Sequence, residues 1–141
     1  MTRQLSVQDV IGQLAALEEH ISRLQATLNE LETRMAVLDA AEKALYTIED
    51  GAEILTPLDG VGDVYVRAKI MESEKVIYHV GLDVYMELSR DKVVELIREE
   101  RANVARIADV YRRELAQASQ YYAALRAAVE QALSQARQQR R

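Results

Sequence analysis

Apolar residues recur through the first third of the chain at alternating spacings of three and four. Val7, Val10, Leu14, Leu17, Ile21, Leu24, Leu28, Leu31, Met35, Leu38, Glu42 and Leu45 fall on that register, and Glu42 alone is not apolar. A period of 3.5 kept this long specifies a left-handed coiled-coil seam, whereas a helix on a globular surface drifts toward a broader stripe of period 3.6. The last third repeats the pattern with Val94, Ile97, Arg101, Val104, Ala108, Tyr111, Leu115, Ala118, Tyr122, Leu125, Val129, Ala132 and Ala136, Arg101 being its one charged member. Ends are marked as well. Ser6 is placed to cap the first helix with Asp9 three residues on, and Leu5 faces Val10 as a hydrophobic staple. Asp50-Gly51 offers a glycine to close that helix. Ser89 is the corresponding N-cap of the second helix, with Leu88 and Val93 as its staple. The spacing predicts helices over 6–50 and 89–138.

Between them the period changes to two. Val64, Val66, Ala68 and Ile70 alternate with Tyr65, Arg67 and Lys69. Val76, Tyr78 and Val80 alternate with Lys75, Ile77 and His79, and Val84, Met86 and Leu88 with Tyr85 and Glu87. These are half-buried antiparallel strands. Gly60 to Gly62 can join Ile54-Leu55 to Val64 onward, and Gly81-Leu82 can turn the later pair. Two hairpins over 51–88 are too small to hold a core of their own and leave strand edges open, which proteins normally pair or cover. The segment therefore predicts an oligomerisation module, with Leu55, Val64, Val66, Ala68, Ile70, Val76, Tyr78, Val80, Val84 and Met86 as its contact residues. The fold class is α+β, mainly α: a long antiparallel two-helix coiled coil joined by two small β-hairpins.

Composition narrows the picture. In 141 residues, one structural unit's worth, 49% are hydrophobic, yet Trp, Phe and Cys are absent and the aromatics are seven Tyr. Without Cys there is no disulfide framework and no thiolate zinc site, which fits a cytoplasmic protein. No apolar run reaches membrane-spanning length, and MTRQLSVQDV lacks the apolar core of a signal peptide. The net charge of −5 is unevenly divided: residues 6–50 carry −6, and residues 89–141 carry +4. Opposite signs favour pairing of the two helices with each other. Folded back antiparallel, they bring Glu42 near Arg101 and Val7 level with Ala136.

Chemistry is sparse. His20 follows Glu18-Glu19 on a helix face without a second ligand at metal spacing, and His79 lies on a strand, so no metal site and no base for a catalytic triad can be assembled. GVGD at 60–63 lacks the Lys and helix of a phosphate loop. Arg137, Arg140 and Arg141 form a basic end that complements the helix dipole. The net charge and the lack of a one-sided basic stripe disfavour a nucleic-acid arm. No cofactor and no enzymatic activity are expected.

The stretches TPL (Thr56–Leu58), VYVRAKI (Val64–Ile70), EKVI (Glu74–Ile77) and VGLDVYMEL (Val80–Leu88), set between two long helices, resemble the alpha class of archaeal prefoldin, also called GimC. Two hairpins rather than one point to the alpha class. The resemblance departs from the family's usual form at Leu82, Asp83 and Val84, which stand for Thr, Gly and Tyr types. It implies a hexamer of two alpha and four beta subunits joined through an intersubunit β-barrel. It further implies that the coiled-coil tips hold unfolded polypeptide without ATP and deliver it to a group II chaperonin. On that reading the client-binding residues are Leu5, Val7, Val10, Ile11, Leu14, Val129 and Leu133, where apolar groups exceed what the seam needs. The alternative is a structural coiled-coil adaptor binding one defined partner.

Overall fold

The computed structural model describes residues 6–141. In chain order it contains α1 (Val7–Thr47), β1 (Glu53–Pro57), β2 (Tyr65–Lys69), β3 (Lys75–Gly81), β4 (Val84–Ser89) and α2 (Arg90–Gln139). Leu5, expected both as a staple and as a client-binding residue, lies outside the described residues. Two compact units divide the chain, each drawing on both helices: residues up to Thr33 with Val104–Arg141, and Arg34–Asn103.

In the first unit, α1 opens with a reciprocal cap. The Asp9 N–H donates to Ser6 Oγ and the Ser6 N–H to the Asp9 carboxylate, both at 3.1 Å. Two of the orphan donors of a helix start are thereby satisfied. Each seam position from Val10 to Leu31 is buried or half-buried, as is each from Val104 to Val129. Leu24 and Ala108 are its most enclosed members, and Ala108 is 0% exposed. Arg112 reaches across to Glu32 at 3.3 Å while holding Asp109 on its own helix at 2.8 Å. The seam loosens toward the chain ends, where Val7, Ala132 and Ala136 are exposed.

The second unit is centred on Leu38, Val93 and Ile97, with Ala41 and Leu45 packed beside them. Val76, Tyr78 and Leu88 from the β3–β4 hairpin join the same cluster. This hairpin therefore takes a seat on the helices of its own chain, which period-two patterning alone does not reveal. Ser89 caps α2 by accepting the Lys92 N–H at 3.2 Å, and the staple partners Leu88 and Val93 meet in the core.

Three local details differ from expectation. α1 ends at Thr47, so Gly51 is not its cap. Gly51 instead takes φ 79° in the turn that follows, where the Ala52 N–H bonds the Glu49 carbonyl at 3.1 Å. Carbonyls in the last turn of α1 and just beyond it go to a side chain: the Arg90 guanidinium donates to the carbonyls of Leu45 (3.4 Å) and Ile48 (3.1 Å) and pairs with Glu74 at 2.8 Å. A cation answering orphan carbonyls at a helix C-terminus replaces the glycine cap. The third difference is the β3–β4 turn, which is Leu82-Asp83 and not Gly81-Leu82.

The two hairpins are antiparallel two-stranded ribbons. β1 and β2 pair Glu53 with Lys69 through to Pro57 with Tyr65. Their connection is ordered by Asp59, whose carboxylate accepts the N–H groups of Gly62 at 2.7 Å and Asp63 at 3.1 Å. β3 and β4 pair Lys75 with Ser89 through His79 with Tyr85, and a bulge then sets Gly81 opposite Val84. Both central turn residues are left-handed, Leu82 at φ 46° and Asp83 at φ 59°. Positive φ at both positions gives the primed turn that matches strand twist, at the expense of placing a leucine where Cβ is crowded. Replacing Leu82-Asp83 by Asn-Gly should relieve that crowding. We expect a gain of about 1 kcal/mol in urea unfolding, and an unchanged midpoint would contradict the turn assignment.

Candidate functional site

The loosened end of the helical pair encloses a cleft of about 280 Å³ lined by Val7, Val10, Leu125, Ala128, Val129, Ala132, Leu133 and Ala136. Val7 and Val10 on α1 thus meet Ala132 and Ala136 on α2, the alignment expected from antiparallel pairing. Of the anticipated client-binding residues, Val7, Val10, Val129 and Leu133 converge here. Leu14 stays half-buried in the seam below, and Ile11 is exposed beside the cleft without lining it. Ala128 and Leu125 complete the wall. Alanines at 128, 132 and 136 recur at a spacing of four on one helix, a signal in the sequence from which this wall could have been found. Small side chains bury little area and contribute little to closing it, at about 25 cal/mol per Å².

In the second unit the charged intrusions meet as expected. Glu42, only 7% exposed, accepts hydrogen bonds from Arg98 Nε at 2.6 Å and Arg101 at 2.5 Å. Tyr46 donates to Glu42 at 3.4 Å, and Arg101 also contacts Asp39 at 3.4 Å. Sequence reasoning found Arg101 and missed Arg98, although bases three apart on one helix share a face. The Arg98 hydrogen bond first, and then that of Arg101, hold the Glu42 carboxyl below its ordinary range. Asp39 is lowered by Lys43 in the same way, and Asp50 by the hydrogen bond from the Ser73 N–H at 2.6 Å. Nearby, Glu100 takes Arg34 at 2.6 Å and the Tyr78 hydroxyl at 3.3 Å. Burial and the Glu100 charge raise the Tyr78 pKa.

The expected oligomerisation residues divide into two groups. Val76 and Tyr78 are half-buried in the chain's own core. Leu55, Val64, Val66, Val80, Val84 and Met86 are exposed, Ala68 and Ile70 half-buried. Each hairpin therefore presents apolar surface to its surroundings. His79 stacks on Tyr85 with ring centroids 4.9 Å apart, and His20 is exposed. Among the described residues no cluster of His, Cys, Asp or Glu could hold a metal ion, and no helix is long and apolar enough to cross a membrane.

A family model described as prefoldin subunit matches residues 17–135. The chain is 43% identical over 136 residues to prefoldin subunit alpha of Hyperthermus butylicus, covering 96% of this chain and 88% of that protein. It is 31% identical over 120 residues to prefoldin subunit alpha of Aeropyrum pernix, covering 82% and 78%. The chain belongs to the prefoldin family. A filamentous PFD from Methanocaldococcus jannaschii, solved by cryo-EM, is similar over 92% of this chain and 96% of its own, with 26% identity and a TM-score of 0.49.

Prefoldin is a chaperone family and not an enzyme family, so the chain is a chaperone subunit, and its relatives place it among archaeal alpha-class members. Prefoldin alpha subunits form oligomeric complexes with other prefoldin subunits. The charge cluster has a pH signature. Carboxyls depressed in the folded state add stability above their unfolded pKa and lose it as pH falls through the folded value. Glu42, Asp39 and Asp50 all shift in that direction. Melting temperature should therefore fall as pH drops through the ordinary carboxylate range and on through the lowered folded values, and Glu42→Gln should flatten that slope while lowering the neutral-pH value. A variant with the wild-type slope would remove Glu42 from the account.

Proposed function

We propose that this prefoldin subunit is an ATP-independent holdase that takes unfolded polypeptide into the cleft between its helix ends. The observation that carries this reading is the set of alanines at 128, 132 and 136 facing Val7 and Val10, which leaves apolar surface accessible where a tight seam would hide it. Apolar contact without a shaped pocket suits weak capture of many sequences. On the same reading the client-binding residues are Val7, Val10, Val129 and Leu133, with Ile11 and Leu14 adjoining, and Leu5 is carried as a sequence-based member. The chain acts as a single functional unit of cytoplasmic prefoldin, two alpha with four beta subunits. The hairpin residues Leu55, Val64, Val66, Ala68, Ile70, Val80, Val84 and Met86 form its share of the β-barrel, and Val76 and Tyr78 anchor the second hairpin. Captured clients pass to a group II chaperonin.

The test is suppression of aggregation of several unrelated denatured proteins, without ATP, by the complex formed with a beta-class subunit. Deleting residues 130–141 should leave the oligomer intact by native mass spectrometry and reduce capture severalfold. Ala132→Leu separates capture from stability, because it fills the cleft: the helical pair should gain up to about 1 kcal/mol while suppression weakens. Capture should persist near 1 M salt, where screening shortens to about 3 Å. Full suppression by both variants would move the client site elsewhere, and activity toward a single protein would favour an adaptor.

A further inference from the structure

The two hairpins lean on their own chain to different degrees. On β3–β4 the register sets Val76 opposite Leu88 and Tyr78 opposite Met86, on one face. Val76, Tyr78 and Leu88 pack against Leu38, Val93 and Ile97, so the helices give that face a core. The Tyr78 hydroxyl also donates to Glu100 of α2 at 3.3 Å, and Arg90 holds Glu74, just before β3, at 2.8 Å.

β1–β2 has an apolar face and no core beneath it. Ile54 stands opposite Ala68 and Thr56 opposite Val66, and the Leu58 N–H bonds the Val64 carbonyl at 2.8 Å just beyond them. Residues directly opposite share a face, which gathers Ile54, Leu58, Val64, Val66 and Ala68 on one side of the ribbon. Glu53, Leu55, Arg67 and Lys69 lie on the other. Nothing on the apolar side is buried: Ile54 is 39% exposed, Val66 41%, Val64 53% and Leu58 66%. Among the described residues no side chain of β1 or β2 forms a hydrogen bond or ion pair with a helix. The ribbon is held at its base, where the Gly51 N–H bonds the Ile70 carbonyl at 2.7 Å and the Ser73 N–H bonds Asp50 at 2.6 Å. Above that base only the main-chain ladder remains, and a two-stranded ribbon that buries neither face is marginal in water.

We propose that β1–β2 opens and closes in the free subunit and becomes rigid only when another prefoldin subunit covers its apolar face, whereas β3–β4 is rigid before assembly. Part of the binding free energy then goes into ordering this hairpin, so its stability sets how tightly subunits hold one another. The base bonds keep the strands facing each other, and the closed ribbon is reached without a search. The inference rests on the assembly reading given under Proposed function.

Hydrogen exchange on the free chain, at a concentration where native mass spectrometry shows monomer, reads the difference. Bonded and non-bonded pairs alternate, and the Leu58–Val64 and Arg90–Glu74 bonds fix the phase of each ladder. The inward amides are therefore Ile54, Thr56, Val66 and Ala68 on one ribbon, and Val76, Tyr78, Met86 and Leu88 on the other. Pro57 falls in a non-bonded pair, so its missing N–H takes nothing from the ladder. Relative to intrinsic rates, the first four should be at least about tenfold less protected than the second four, and should slow at least about tenfold in the complex with a beta-class subunit. Rigidity can also be imposed. Leu55 and Arg67 form a non-bonded pair, the close-approach geometry a disulfide needs, on the polar side of a chain without cysteine. Leu55→Cys with Arg67→Cys, once oxidised, should bind the beta-class subunit severalfold more tightly than when reduced. Equal protection of the two hairpins in the free chain, or equal affinity of the oxidised and reduced forms, would overturn the inference and leave the assembly reading standing. A wild-type chain that forms no complex would sink the assembly reading and the locking step with it, while the free-chain exchange still decides which hairpin is the weaker.

Discussion

A carboxylate inside an apolar seam has to be answered by cations, and in the second unit Glu42 sets that condition. Left unpaired beside apolar neighbours such a group would be unfavourable, and the guanidiniums of Arg98 and Arg101 stand level with it. Leucines on a heptad register tolerate a slip of one turn, because one leucine resembles the next. A slip would carry the cations about 5.4 Å from their carboxylate. The charge cluster therefore specifies one local register where the apolar residues would accept several. The seat of the β3–β4 hairpin depends on that choice, since Val76, Tyr78 and Leu88 need Leu38 from α1 and Val93 and Ile97 from α2 side by side. Arg90 fastens the same region from the opposite direction, joining the start of α2 to the end of α1.

The parts of this fold that were legible in the sequence are those decided within one element. A 3.5 period needs only the spacing of side chains on a single helix, and the Ser6 and Ser89 caps need only their own first turns. Period-two alternation likewise located both hairpins. What escaped were features settled between elements. The end of α1 is set by Arg90, whose reach from far along the chain leaves no local mark. The β3–β4 turn moved one residue because ladder register outweighed the propensity of Gly81. Val76 and Tyr78 read as assembly residues because alternation shows that a face is buried, and not what buries it. At the candidate site the apolar α1 side was readable, and the decisive property of α2 was the smallness of its alanines.

That smallness links sequence to function through packing. A seam of larger side chains buries more area and stays shut, as it does around Leu24. Where Val7 and Val10 face alanines, less area holds the helices together, and the apolar groups remain available to another chain. If the cleft is the client site proposed above, the same side chains that weaken the end of the pair suit contacts that form with many sequences and then break. On the proposed reading, affinity for clients and local stability draw on the same apolar surface.

Pro57 has a consequence for strand addition. In any growth process that adds one strand at a time, the outward N–H and C=O groups of an edge supply the bonds to the newcomer. Pro57, the last residue of β1, offers a carbonyl and no N–H, so that end of the strand supplies one donor fewer. A proline on an exposed strand also works against runaway cross-β polymerisation, the hazard that accompanies any protein carrying exposed apolar strands.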